Sequence, residues 1–272
     1  MRFAKLQATG NDFVLIEAEE ERDWPPLARL MCNRHLGVGG DGLIVLLPSM
    51  AGDLRMRLFN PDGSEAETCG NGLRCLVRYA VDSQLTDRGE ISVETQDGIK
   101  KVFIQGDLLQ VEMGSPRFTP DEIPVSLEPK TDTVIDLPVT IGGIKLKLTC
   151  LSMGNPHAVC FMDEPVARFP LGEIGPEVEN HPMFPNRVNL EVANVLGPQR
   201  IMARVWERGV GETLSCGTGA CAVMVAAHLQ QMVSDEVDVI LPGGLLTISW
   251  TGVGEVKLRG PAHLVFRGEW LG

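Results

Sequence analysis

The chain of 272 residues carries one ordered pattern twice. Cys69-Gly70-Asn71-Gly72 and Cys216-Gly217-Thr218-Gly219 each set a cysteine before a Gly-x-Gly turn that leads into a helical stripe. Arg57 and Arg204 stand twelve residues ahead of their cysteines, and Glu65 and Glu212 four residues ahead. Downstream, Gly98, Gly106 and Gly114 recur as Gly244, Gly252 and Gly260, each 146 residues later. Upstream, Gly10-Asn11 recurs as Gly154-Asn155. Single glycine matches are common in β-rich chains, but an ordered series over roughly a hundred residues signals a duplication. Two copies do not build a solenoid. They build two similar domains.

Within each copy the periodicities alternate between strand and helix. Leu54, Met56 and Leu58 alternate with Arg55 and Arg57, the pattern of a half-buried strand. Asn60-Pro61-Asp62-Gly63 is a strong turn. After Cys69, apolar residues at Leu73, Leu76, Val77, Ala80 and Val81 form one helical face. After Cys216, Ala220, Val223, Met224 and Ala227 repeat it, in a helix rich enough in small residues to be buried on most sides. Short strands are expected at residues 43–47, 99–104, 108–112, 245–250 and 253–258. A minor helix is expected near residues 25–34, with Pro25 or Pro26 in its first turn and Arg34 and His35 as a solvated end. Residues 181–186 read as a polar loop. Pro116, Pro120, Pro124 and Pro129 mark the connection between the copies.

Bulk properties narrow the function. The hydrophobic fraction of 44% suits an ordinary globule with real cores. A net charge of −12 disfavours a nucleic-acid or anionic-membrane surface. No apolar run approaches the ~20 residues of a membrane span, and the N-terminal residues carry no signal-like apolar stretch. Seven cysteines, an odd number scattered through the chain, do not form a secreted disulfide framework. Reduced thiols in the cytoplasm are the expectation.

A cysteine at a helix N-terminus sits among unpaired backbone N–H groups at the positive end of the helix dipole, which favours the thiolate. Two such thiols suit proton transfer at a carbon beside a carboxylate, one as base and one as acid. Cys75 and Cys221 fall within the helical stripes and read as core, as do Cys32, Cys150 and Cys160. Cys69 and Cys75, six apart, and Cys216 and Cys221, five apart, do not match the spacing of a zinc knuckle. The glycines at 37, 39, 40 and 42 precede a strand-like run, not a helix, so they are not a dinucleotide fingerprint. No lysine stands out as a pyridoxal anchor. Neither metal nor cofactor is expected. A thiol redox switch joining Cys69 to Cys216 remains a competing reading, although a disulfide could neither take nor give a proton.

Taken together, the motifs resemble the diaminopimelate epimerase family. They are Thr9-Gly10-Asn11-Asp12-Phe13, Phe59-Asn60-Pro61-Asp62-Gly63-Ser64, Cys69 through Cys75, Gly154-Asn155-Pro156-His157 and Trp206 through Cys221, in family order. The resemblance implies an α/β fold of two pseudo-symmetric domains, each a mostly antiparallel sheet wrapped around a central helix. The active site would lie in the interdomain cleft. The domains would be residues 1–117 with 263–272, and residues 118–262, the last strand returning to the first domain. It implies a cofactor-independent epimerase of L,L- and meso-diaminopimelate in lysine and peptidoglycan-precursor synthesis, acting on a small molecule as a homodimer. Cys69 and Cys216 would be the acid–base pair. Asn11, Asn60, Asn155 and Asn189 would hold the polar ends of the substrate, with Glu207 beside them. Gly70-Asn71 and Gly217-Thr218 would offer N–H groups to the reacting carboxylate, and Arg208 would pair with the distal one. His157 and Glu207 would tune the thiols. One departure stands out: Gly42 occupies a position where many members carry a substrate-contacting Gln, so any contact there is by backbone or water. Asn71 also argues against a proline racemase-type enzyme, a family that usually has His there.

Overall fold

The computed structural model describes residues 1–66, 69–128 and 131–272; Pro129 of the proline-rich connection lies outside the described residues. The chain divides into two compact units, Met1–Glu112 with Arg259–Gly272, and Met113–Leu258. These divisions fall a few residues earlier than the 117 and 262 read from the sequence.

The first unit contains β1 (Arg2–Ala8), β2 (Asn11–Glu17), α1 (Trp24–Cys32), β3 (Gly42–Leu47), β4 (Leu54–Phe59), α2 (Gly70–Asp82), β5 (Glu90–Thr95), β6 (Gly98–Gln105) and β7 (Leu108–Glu112). In the order β1 to β6 the pairings run antiparallel, parallel, antiparallel, parallel, antiparallel. The two parallel steps are bridged by α1 and α2, as parallel neighbours require a crossover. β7 then pairs antiparallel with β6.

The second unit contains β8 (Val134–Ile141), β9 (Ile144–Ser152), β10 (Pro156–Phe161), α3 (Leu171–Glu179), β11 (Asn189–Gly197), β12 (Arg200–Glu207), β13 (Gly211–Thr213), α4 (Gly217–Leu229), β14 (Glu236–Leu241) and β15 (Gly244–Ser249). From β9 through β10, β11, β12 and β14 to β15 the same succession of pairings recurs, with α3 and α4 as crossovers. β16 (Lys257–Pro261) spans the division, and β17 (His263–Glu269) pairs antiparallel with β1. The duplication is therefore written in the hydrogen bonding, not only in the motifs. It extends to side chains: Arg57 grips Glu65 with two bonds of 2.7 Å, and Arg204 grips Glu212 with bonds of 2.8 and 3.0 Å.

Each central helix is enclosed by its sheet. α2 touches β1, β2, β3, β4, β6, β7 and β17, and α4 touches β9, β10, β11, β12, β14 and β15. In α4, every residue from Gly219 to Ala227 is buried, as its small apolar sequence predicts. Burying Val223, Met224 and Val225 contributes about 1.5–3 kcal/mol each. α2 keeps one partly exposed side, through Arg78 and Tyr79.

Three local expectations change. The minor helix begins at Trp24 and stops at Cys32, because Asn33 turns to an extended ψ of 119°. Arg34 is thus beyond the helix, bound to Asp12 and Asp41 rather than a simple solvated end. Residues 253–256 are not strand: Gly252 and Gly254 take φ of 88° and 72°, which turns the chain before β16 starts. The nine-residue α3 has no sequence forecast, since Gly175 and Pro176 sit in its middle. Gly175 serves packing there, as a Cβ would lie 2.4 Å from the Trp206 ring.

Candidate active site

Both central helices begin in the same way. Cys69 and Cys216 occupy the residue before the first helical turn, with φ/ψ of −108°/121° and −120°/118°. The extended cysteine followed by glycine bends strand-derived chain sharply into helix, and each cysteine carbonyl accepts the first helical bond, from Leu73 N–H and Ala220 N–H. The thiols thereby stand beside the free N–H groups of the first turn.

In the first unit, the Cys69 thiol lies 3.8 Å from Asn11 Oδ1, which also accepts from Asn71 Nδ2 at 3.3 Å. The amide of Asn11 has a fixed sense, because its Nδ2 donates to Asp41 Oδ2 at 2.7 Å and a carboxylate only accepts. Asn71 is fixed in turn by Arg74, a fully buried guanidinium that donates to Asn71 Oδ1 at 2.8 Å. Asp41 and Asp12 share Arg34, and Lys5 pairs with Asp12. Burial raises the Asp12 carboxyl, but donors from Arg34 and Lys5 outweigh it and hold the group at about 2. Asn60 follows β4, exposed, its Nδ2 on Ser64 Oγ at 2.9 Å. Gly42 starts β3 in register with Phe13; a Cβ there would sit 2.9 Å from the Phe59 carbonyl oxygen. With the Phe59 carbonyl where it stands, a side chain at position 42 would require that backbone to move.

In the second unit, Cys216 Sγ accepts from Gly219 N–H at 3.4 Å and lies 3.4 Å from Thr218 Oγ1. Asn155 Nδ2 donates to the same hydroxyl at 3.3 Å, and Asn155 Oδ1 faces His157 Nε2 at 2.9 Å. Asn189 clips two segments together: its Nδ2 donates to Pro156 O at 2.9 Å and its Oδ1 accepts from Arg208 N–H at 2.8 Å. The Arg208 guanidinium rests on Asn186 O at 3.0 Å. Glu207 accepts from Thr213 Oγ1 and faces Cys216. Its pKa is raised, by burial first, against the lowering effect of the Thr213 and Cys216 donors. Cys216 is raised well above the usual thiol range, by burial, then by the negative charges of Glu207 and Glu191. At neutral pH it is therefore a thiol.

The remaining cysteines have core character. None of the seven is joined in a disulfide. Burial pushes Cys32 up to about 11 and Cys150 up to about 12, far from reactive thiolates.

A sequence model of diaminopimelate epimerase matches residues 3–119 and residues 149–265, one stretch in each copy of the duplicated pattern. The chain belongs to the diaminopimelate epimerase family. It is 42% identical over 277 residues to the diaminopimelate epimerase of Carboxydothermus hydrogenoformans, covering 100% of each chain. It is 45% identical over 279 residues to that of Moorella thermoacetica, covering 99% of each. Among solved structures, a PhzF-family phenazine biosynthesis protein from Bacillus anthracis is similar at 18% identity and a TM-score of 0.72, covering 100% of this chain and 99% of that one. A hydroxyproline epimerase from Agrobacterium vitis is similar at 15% identity and a TM-score of 0.69, covering 98% and 91%. These distant neighbours share the fold with the diaminopimelate epimerase family.

Three residues at the two helix ends escape sequence reasoning: Asp41, Arg74 and Glu191. Arg74 belongs to a family motif, but a helical arginine reads as surface. Glu191 lies between Leu190 and Val192 in a strand, and only the pairing of β10 with β11 places it against His157, 2.7 Å away.

Proposed function

We propose that the chain interconverts L,L- and meso-diaminopimelate by moving one proton between the α-carbon and two thiols, without a cofactor. The observation that carries the reading is the pair of thiols heading equivalent helices, in a chain 42–45% identical along its whole length to named diaminopimelate epimerases.

Inversion at carbon requires one base and one acid on opposite faces of that carbon. Cys216 begins as the acid, since burial and the Glu207 and Glu191 charges keep it protonated. Cys69 then begins as the base. As its thiolate takes the α-proton, the electron pair spreads into the α-carboxylate, and Cys216 returns a proton to the other face. One proton leaves and one arrives, and the thiols exchange roles for the reverse reaction. Backbone N–H groups at Gly70-Asn71 and Gly217-Thr218 hold the α-carboxylate and stabilise its developing second charge. Arg208 pairs with the distal carboxylate, a task suited to a planar guanidinium. Asn11, Asn60, Asn155 and Asn189 orient the remaining polar groups. Glu207 accepts the Cys216 proton when that thiol serves as base, and His157 assists the thiols electrostatically.

The place of action is the cytoplasm, consistent with seven cysteines of which none is in a disulfide. Among the described residues no helix is long and apolar enough to cross a membrane. The working form is a homodimer, for which exposed Val265 and Phe266 on β17 offer apolar surface; light scattering that gives a monomer would refute this point. For the activity itself, the reduced protein is incubated with L,L-diaminopimelate in deuterated water. The reading requires meso product bearing deuterium at the inverted carbon. Verified free thiols with neither product nor label would overturn it.

A further inference from the structure

We propose that Glu191 is a positioning residue for the epimerisation: its carboxylate holds His157 by Nδ1, so that Nε2 is the ring nitrogen turned to Asn155 and the hydrogen-bond chain to Cys216. The catalytic consequence rests on the function proposed above, while the ring geometry stands independently of it.

The twin unit shows that the fold does not require a carboxylate here. A Cβ on Gly72 would meet Leu58, Cys69 and Ile44, and a Cβ on Gly219 would meet Glu191, Val205 and Cys216. Glu191 therefore stands where the first unit has Ile44, wholly buried. In the same way, Phe13 pairs with the first residue of β3 and His157 with the first residue of β11. One unit packs Phe13 and Ile44; the other packs His157 and Glu191 at the corresponding places. Burying a carboxylate is costly unless it is paired, so its presence at a position that isoleucine fills in the twin points to a chemical task.

The geometry defines that task. Glu191 and His157 side chains are both fully buried, with Oε1 2.7 Å from Nδ1. The second oxygen, Oε2, is buried with no hydrogen-bond partner, so the carboxylate is committed to the imidazole. An ionised carboxylate only accepts, which places a proton on Nδ1. Nε2 then faces Asn155 Oδ1 at 2.9 Å, and the chain continues through Asn155 Nδ2 and Thr218 Oγ1 to Cys216 Sγ. A proton gained at Nε2 strengthens donation along that chain toward the sulfur. A bare Nε2 would call for the Asn155 amide to turn over and run the chain the other way. The titratable groups around the ring are Glu191 on β11, Glu207 on β12 and Cys216 at the head of α4.

The test reads the ring nitrogens of His157 by NMR in the wild-type protein and in Glu191→Gln, with His157→Asn to identify the signals. In the wild type the neutral ring carries its proton on Nδ1. In Glu191→Gln the neutral ring shifts measurably toward the form protonated on Nε2, because an amide oxygen holds Nδ1–H more weakly than a carboxylate does. The kcat of that variant falls about tenfold or more, with KM within about twofold. A wild-type neutral ring protonated on Nε2 would overturn the proposal, whether or not the variant folds. So would an unchanged tautomer ratio in Glu191→Gln, even alongside a loss of kcat. Both readouts are made without substrate, so a wild-type protein that fails to epimerise refutes the functional reading and leaves the ring assignment to be judged separately.

Discussion

Replacing Asn189 by alanine tests what holds the second helix end in shape. Asn189 is 3% exposed, and its amide joins Pro156 O to Arg208 N–H. Alanine removes both bonds at once. The bond to the Pro156 carbonyl is buried, so leaving that oxygen unpaired costs about 1–3 kcal/mol, whereas the bond from Arg208 N–H is only partly buried and its loss costs about 0.5–1.5 kcal/mol. The sum is roughly 1.5–4.5 kcal/mol, a fall in melting temperature of roughly 3–18 °C for a domain of this size. The Arg208 backbone loses its anchor in the same step, so KM for diaminopimelate rises as well. Asn189→Asp is worse than alanine, because it sets a carboxylate oxygen against the Pro156 carbonyl and buries a charge. Melting followed by circular dichroism, with KM measured on the same samples, decides the matter. If Asn189→Ala melts with the wild type while KM rises, the residue is a substrate contact alone and the clip argument fails.

Glu207→Gln removes the second-largest cause of the raised Cys216 pKa, so the thiol should ionise at lower pH, seen as an earlier rise in ultraviolet thiolate absorbance; a rise at higher pH would contradict the electrostatic account. The Asp12 carboxyl is lower in the folded protein than its ordinary 3.8, so its ionised form stabilises the fold above that pH, and this stabilisation is lost as pH falls toward about 2. Asp12→Asn should flatten the acid unfolding curve in that window, and an unaltered curve would show that the Arg34–Lys5 cluster does not hold the fold. Gly175→Ala should cost about 1–3 kcal/mol through overlap with Trp206, measured by urea unfolding; a neutral result would mean that α3 can shift away without loss.

What was legible in the sequence was local or repeated. The strand at Leu54–Phe59 and the helices after Cys69 and Cys216 announce themselves by period, and the duplication is visible because glycine turns recur in order. α3 was hidden because its Gly175 is chosen for contact with Trp206, a residue thirty-one positions away, and local propensity sees only a helix breaker. The expected strand from 253 failed because its apolar residues are cut off by two glycines in left-handed turns. At the site, Cys69, Cys216, Asn11, Asn71, Asn155 and Thr218 belong to motifs and could be named. Their anchors could not. Asp41, just ahead of β3, acts on Asn11 at the start of β2, and Glu191 acts on His157 across neighbouring parallel strands, and no short motif contains both members of either pair. A buried polar residue in a strand becomes meaningful only once the strand beside it is known.

The two-thiol claim meets its most direct test in Cys69→Ala and Cys216→Ala, each followed for epimerisation of L,L- and of meso-diaminopimelate in deuterated water. Both variants should fold as the wild type does, since each change removes one small thiol at a helix end. Loss of inversion in both variants and in both directions is the predicted result. Inversion at the wild-type rate in either variant, with the substitution confirmed by mass, would contradict a mechanism that needs a base and an acid of this kind.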